Sequence, residues 1–496
     1  MSARLEASLP APVAQGLGRR AISLGAANAI DYVLQFLLPV VLVRCLDPDA
    51  FGHYRLLWLA AGTAMAVITQ AMPGSLYYFL PRSDATTRRL YINQTLIFLA
   101  LAGLVAGWAF SVWNPWLPER LHGLGDHEII VPAFVSLWVI ASMLDLLPTI
   151  EERVAWQAKA TIGLSLLRTA TLSLAAFVSG DLRTVLLVLL GFVAIKLFVL
   201  LYYVAIFHGL RRPLLRARVF RDQLKYAAPF GAAGAFYGLR AQADQWVVAA
   251  LFPVGLFAAF SIATVLAPLV HLFRVSVIYA FLPGMSRLQA GGDLAGMLKL
   301  NNRANNMVGM LVYPVLAFAF AFSGEIVTLI YTAAYLDAAP VMRVYIVGLA
   351  ALVVELASIM MLLKEGHFTM RLSLATLVLS VALSWGAAHG LGLAGAAVGS
   401  VLAIYVDLAF SLRRIARRTG MPCARLQDWR SLGRSLLCAA LSAAIAWIVV
   451  ERFCGDDAPA LRLMAGALPM GVTYLSLQAL IGPGRALLAA ARGRGN

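Results

Sequence analysis

The chain has 496 residues, 61% of them apolar and 13% charged, with a mean hydropathy of +0.81. A soluble domain carries about 25% charged residues, so an ordinary cytosolic enzyme is excluded. The formal charge of +16 would point to nucleic acid in a soluble chain, but the basic residues here fall in short loops with no fold to present it. No nucleic-acid partner is expected.

Residues 1–21 read as an N-terminal tail. Arg19 and Arg20 precede an apolar run too long for a cleavable signal. Apolar stretches of about 20 residues, enough to cross a hydrocarbon core, then fall at 22–43, 55–80, 91–113, 131–150, 162–180 and 184–207. A basic linker, 211–225, follows the first set, which spans 22–210. A second set within 226–412 falls at 226–250, 256–283, 307–331, 341–363, 372–388 and 393–412. After a basic loop at 413–434 come 435–450 and 461–482, and then a tail at 483–496. The pattern predicts an all-α polytopic membrane protein with about fourteen spans. Helices are required because lipid offers no partner to free backbone groups. A β-barrel is excluded because the runs are continuous rather than alternating.

Threaded with its N-terminus inside, the chain places most Lys and Arg in the inside segments, above all at 208–225 and 413–434. The positive-inside rule then predicts both termini in the cytoplasm. These loops also suit anionic lipid, and the bilayer is an expected partner. No loop is long enough for a catalytic domain, and no enzyme activity is expected. Cys45, Cys423, Cys438 and Cys454 form no CxxC, the seven histidines show no HExxH, and no GxxxxGK[ST] occurs. Neither metal nor cofactor is expected.

A short repeat is visible. Tyr77-Tyr-Phe-Leu-Pro81 ends the second span and Tyr279-Ala-Phe-Leu-Pro283 ends the eighth. Six spans separate the copies, so both have the same orientation. That predicts two parallel six-helix halves with a site between them, and 435–482 as an appendage.

Ionisable residues at bilayer depth cost about 2.5–3.5 kcal/mol on insertion scales and normally face a cavity or a partner. Asn28, Asp31 and Gln35 fall on one stripe of the first span. Gln70 lies near Pro73 in the second span, and Tyr237, Arg240 and Asp244 lie in the seventh. His271 and Arg274 follow Pro268 in the eighth. Arg274 has no acidic residue one turn away in its own span, so it is the strongest candidate for an anionic ligand. Arg240 and Asp244, four apart, are expected either to pair along their helix or to face a cavity. Asp31 is a proton or cation site, or the partner of Arg274 or Arg240. Asp145 and Arg168 are expected to pair with each other, while Lys196, Arg343, Glu355 and Asp407 are weaker cavity candidates.

Several stretches carry a family resemblance. They are Leu46-Asp-Pro-Asp-Ala-Phe-Gly52-His-Tyr54, the Tyr-x-Phe-Leu-Pro endings, Arg240-Ala-Gln-Ala-Asp244, Tyr331-Thr-Ala-Ala-Tyr335-Leu-Asp-Ala-Ala-Pro340 and Gly392-Leu-Ala-Gly395-Ala-Ala. Together they resemble the multidrug/oligosaccharidyl-lipid/polysaccharide exporters, and most of all the Wzx-type polysaccharide flippases. The resemblance implies two six-helix lobes in a V that alternate access, and a multi-pass protein of a bacterial inner membrane. It implies a cargo: a polyprenyl-pyrophosphate-linked oligosaccharide moved to the outer leaflet for exopolysaccharide, O-antigen or capsule synthesis. Polymerase and export proteins of the same pathway would be partners. Arg274, Arg240, Gln70 and Tyr237 would then contact the pyrophosphate or acidic sugars. Asp31, Asp244, Gln35 and Asn28 would serve coupling or ion pairing. The alternatives are a lipid II-type precursor flippase, a cation-coupled multidrug antiporter and, in a different class, a membrane-bound glycan polymerase.

Overall fold

Long apolar runs deny the backbone any water partner, and the chain responds by forming helices throughout. The computed structural model describes residues 11–69, 72–116, 129–209, 213–455 and 457–480. No strand occurs among them. Among the described residues ten helices are long and apolar enough to cross a membrane, or eleven when Pro48–Ile68 and Met72–Arg82 count as one bent span. The protein is thus an all-helical, multi-pass membrane protein. The count of fourteen is not reproduced as fourteen uninterrupted helices, for reasons given below. The tail at 483–496 lies outside the described residues. The chain divides into two compact units, Met1–Leu239 and Arg240–Asn496.

The first unit contains α1 (Ala11–Cys45), α2 (Pro48–Ile68), α3 (Met72–Phe79), α4 (Ala85–Ala109), α5 (Ile130–Ala141), α6 (Leu147–Ile150), α7 (Val154–Ser179), α8 (Leu182–Phe207) and most of α9 (Ala217–Arg240). Sequence signals start several of these helices. Asp47 caps α2, accepting the Ala50 N–H at 2.7 Å, and Pro48 fills the first turn, where no amide hydrogen is needed. Asp84 caps α4 and Asp181 caps α8 in the same way. α4 and α5 approach closely at Gly103 and Gly107, where a Cβ would collide with the Ser136 and Pro132 backbone and the Ser136 hydroxyl. That hydroxyl donates to the Gly103 carbonyl at 3.0 Å. The start of α9 is fixed by a buried polar knot. Gln94 Nε2 donates to Gln223 Oε1 at 2.5 Å, and Gln223 Nε2 donates to Ser75 at 2.8 Å and Thr95 at 3.2 Å.

The second unit contains α10 (Ala243–Leu251), α11 (Val254–Ala263), α12 (Ala267–Ala290), α13 (Leu294–Ala321), α14 (Ser323–Tyr331), α15 (Ala338–Ala351), α16 (Ala357–Leu362), α17 (Gly366–Thr419), α18 (Cys423–Leu426), α19 (Trp429–Cys454) and α20 (Pro459–Leu480). Three segments depart from the expected pattern of spans. The seventh is interrupted between α9 and α10. The tenth is only the 14-residue α15. The eleventh and twelfth run together as α17, whose 54 residues are two helices joined at Gly392, with φ 64° and ψ −145°. Glycine takes that backbone geometry without a Cβ penalty. The two arms pack directly: Ser384 donates to the Ala396 carbonyl at 2.8 Å, and Gly399 lies against the Leu383–Ser384 backbone. The final two helices dock through Phe322, Ala443, Ala446, Val450 and Met470, and the Tyr474 hydroxyl donates to the Met310 carbonyl at 2.8 Å.

The open ends of the α17 hairpin are latched by charge. Glu365, just before α17, accepts from Arg414 Nε at 2.8 Å and from Arg418 Nε. Burial pushes the Glu365 carboxyl up, but the hydrogen bonds and charges of Arg414 and Arg418 outweigh it and hold it below the usual carboxylate range. Its stabilisation is therefore complete at neutral pH and is lost only as pH falls below that range. Glu365→Gln is expected to lower stability by about 1.5–3 kcal/mol, as for hydrogen bonds to a charged group. Thermal unfolding at pH 7 and again at about pH 2–3, below the usual carboxylate range, checks it: the gap between the two proteins should narrow at the lower pH.

Candidate functional site

In the first unit, helical periodicity brings the polar stripe of α1 onto α7. Ser165 and Arg168, three apart, share the α7 face that meets Asp31. Asp31 Oδ1 accepts from the Ser165 hydroxyl and from Arg168 Nη2 at 3.3 Å, and Oδ2 accepts from Gln35 Nε2 at 2.6 Å. Nearby, Lys196 Nζ donates to Asp145 Oδ2 at 2.8 Å and sits 4.5 Å from the Trp138 ring centre. A cavity of about 140 Å³ lies between these two ion pairs, with Gln157 and Thr161 also on its wall. The expected Asp145–Arg168 pair is corrected: Asp145 takes Lys196 and Arg168 takes Asp31. Spacing along the chain could not reveal this, because both partners come from other helices. Asn28, on the same stripe, is exposed. Tyr237 is 49% exposed. Gln70 lies outside the described residues.

In the second unit, the chain breaks from helical form at Ala241–Gln242, so the four-residue step from Arg240 to Asp244 is not one regular turn. Asp244, 2% exposed, begins α10. It accepts the Tyr345 hydroxyl at 2.6 Å and the Gln245 N–H at 2.8 Å, and also bonds Ser400. Arg240 is 8% exposed and acts electrostatically on Asp407. Ser165, Tyr345 and Ser400 were missed by sequence reasoning. Only Ser165 left a signal, one turn before Arg168 on the same stripe.

Arg274 belongs to the second unit. It is partly buried on α12. Its Nη1 donates to the Leu352 carbonyl at 3.5 Å and its Nη2 lies 3.5 Å from His271 Nδ1. Among the described residues, no carboxylate pairs with it. A guanidinium has five donors in a planar fork, and two long contacts leave most of that capacity unused. By contrast, Arg343 donates to Ser323 at 2.8 Å and to the Phe320 carbonyl at 3.3 Å. Glu355 belongs to a local network, with Oε1 accepting the Ser358 N–H and its carbonyl accepting from Asn301. Among the described residues, no group of three or more His, Cys, Asp or Glu is arranged to hold a metal.

A family model described as "Lipid II flippase MurJ" matches residues 130–459. A solved structure of the lipid II flippase MurJ, in an inward closed conformation, superimposes with a TM-score of 0.72 at 14% identity, covering 94% of this chain and 100% of that one. An inward-facing multidrug resistance MATE family transporter of the MOP superfamily gives a TM-score of 0.59 at 13% identity, covering 80% of this chain and 99% of that one. A mutant MATE transporter of Vibrio cholerae gives 0.54 at 10% identity, covering 82% and 97%. No curated protein matches. At these identities the structural likeness establishes the fold, which is the MurJ- and MATE-like one.

Proposed function

This chain belongs to the lipid II flippase MurJ family, and on that premise we propose that it carries a lipid II-type precursor, a polyprenyl-pyrophosphate-linked saccharide, from the cytoplasmic to the outer leaflet. As a member of that family it is a transporter and not an enzyme. The Wzx-type branch expected from the sequence gives way to the MurJ branch of the same superfamily, and the exopolysaccharide, O-antigen or capsule role gives way to peptidoglycan precursor transport.

The observation that carries the reading is Arg274, a partly buried cation with no carboxylate partner among the described residues. An intramembrane charge left this way is costly unless a ligand or water meets it. A pyrophosphate suits it, because the guanidinium fork offers paired donors to phosphate oxygens. Arg274, with Arg240, Gln70 and Tyr237, is proposed to contact the head group while the polyprenyl tail stays in lipid. Asp31, with Gln35 and Asn28, and Asp244 are proposed for coupling. The lobes are taken as 22–210 and 226–412, with 435–482 added and both termini cytoplasmic.

Proteoliposomes test the reading. Purified protein should move fluorescent lipid II between leaflets at least about tenfold faster than protein-free vesicles, a difference of about 1.4 kcal/mol in barrier. A polyprenyl-pyrophosphate oligosaccharide without the peptide should move more slowly. Equal inactivity toward lipid II and protein-free controls would overturn the proposal. Preference for the peptide-free glycolipid would return the cargo to the polysaccharide class.

A further inference from the structure

Three turns meet at one end of the first unit: the one before α4, the one between α6 and α7, and the one after α8. Under the inside threading this is the cytoplasmic end. They border a half-open pocket of about 150 Å³. Its wall carries Arg88, Arg89, Arg153 and His208, with Glu151 as the single carboxylate. We propose that this pocket is a binding site for a phosphoryl head group, separate from the intramembrane residues described above.

The carboxylate is partly committed, through one hydrogen bond and one close contact to an imidazole. Glu151 Oε2 accepts the Tyr203 hydroxyl at 2.5 Å, and Oε1 lies 2.9 Å from His208 Nε2. Arg153 Nε is farther from Oε2, at 3.9 Å, and the Arg153 guanidinium instead stacks 3.5 Å over the Phe207 ring. A left-handed backbone at Glu152, φ 59°, sets the turn that leads into Arg153.

The cations, by contrast, are under-used. Arg88 has one hydrogen bond, a long one of 3.4 Å from Nη2 to the Leu80 carbonyl, and its Nε is shut from solvent without a partner. Arg89 makes no hydrogen bond or ion pair with any described residue. Ala85, also on the wall, is the first residue of the 25-residue α4, so the positive end of that helix faces the same space. The capping Asp84 spends its carboxylate on the Thr86 N–H at 3.0 Å. An excess of guanidinium donors in a pocket beside a helix start is the chemistry that holds a phosphate. Trp156 and Tyr203 pack against each other in the adjoining helices, ring centres 4.6 Å apart, and Tyr203 is fully buried. The phosphoryl group could come from an anionic membrane lipid or from a pyrophosphate-bearing cargo. The site stands on its own geometry, whichever cargo is carried.

The test is ligand-induced stabilisation of the full-length protein in uncharged detergent, read as the shift in unfolding temperature. One arm titrates sodium pyrophosphate. The other titrates phosphatidylglycerol against phosphatidylcholine in mixed micelles. The variants are Arg88→Gln with Arg153→Gln and, separately, Ala85→Glu. The second places an acid in the pocket at a first-turn position that favours acids, so it should fold. Wild type is expected to be stabilised, with half-effective concentrations raised at least about tenfold in both variants, the equivalent of one lost charge-assisted contact. Loss confined to the pyrophosphate arm assigns a cargo-type head group, and loss confined to the lipid arm assigns a membrane lipid. If variants that fold respond to both ligands as wild type does, the shift arises elsewhere and the site is overturned. Failure of wild type to respond to either ligand also overturns it. Lipid II flipping is measured separately, so neither result depends on the cargo reading.

Discussion

Arg274→Glu is expected to reduce lipid II flipping by at least about 100-fold while leaving insertion and thermal stability near wild type. The two halves of this expectation have different origins. Arg274 contributes little to the fold, since among the described residues its hydrogen bonds are two long ones at 3.5 Å, so its loss frees no tightly paired group. Toward a pyrophosphate it offers two or more charge-assisted hydrogen bonds, worth about 1.5–3 kcal/mol each. The glutamate removes them and adds repulsion, and each 1.4 kcal/mol is about tenfold in rate. Arg274→Lys keeps the charge but loses the planar fork, and should retain an intermediate rate. Reconstituted flipping, with expression and unfolding temperature as controls, measures all three. Full transport by the glutamate variant would remove Arg274 from the mechanism.

Asp31→Ala is expected to destabilise the first unit by about 1.5–3 kcal/mol, the worth of hydrogen bonds to a charged group, because the carboxylate itself stays partly exposed. Arg168 is buried, and its Nε has no partner even in the intact protein. Removing the carboxylate leaves the whole guanidinium uncompensated beside the cavity shared with Gln35 and Lys196. Replacing both partners by leucine should recover most of the stability, because two apolar side chains carry no desolvation penalty. Unfolding of the two variants in the same detergent gives the comparison. The proposed coupling role of Asp31 predicts that the stable double variant still fails to transport. If it transports normally, the pair is only a structural link between α1 and α7.

Much of this architecture was legible in the sequence. Apolar runs matched to bilayer thickness located the helices, and Asp47-Pro48 marked the start of α2 by direct capping chemistry. Gly392 was part of the motif that carried the family resemblance, and it is the residue at which α17 turns back on itself. Less legible were the break at Ala241–Gln242 and the brevity of α15, because hydropathy averages over a window and does not register a lost turn. Among the polar residues, Arg274 could be singled out because its own helix offers no acid. Arg168 could not be assigned correctly, since its own helix says nothing of which neighbour will face it. The branch was misread for a related reason: the resembling stretches are shared across the superfamily and carry the fold more than the cargo.

Hydropathy and charge placement, by themselves, determined that this chain is helical, crosses a membrane many times and needs a reason for each charge it buries. Both follow from solvent: lipid cannot satisfy a free peptide group or an isolated ion, so composition alone forces the outcome. The tertiary structure decided which charges pair: Asp31 with Arg168, Asp145 with Lys196, and Glu365 with Arg414 and Arg418. Those choices are set by distances between helices far apart in the chain, which no local pattern encodes.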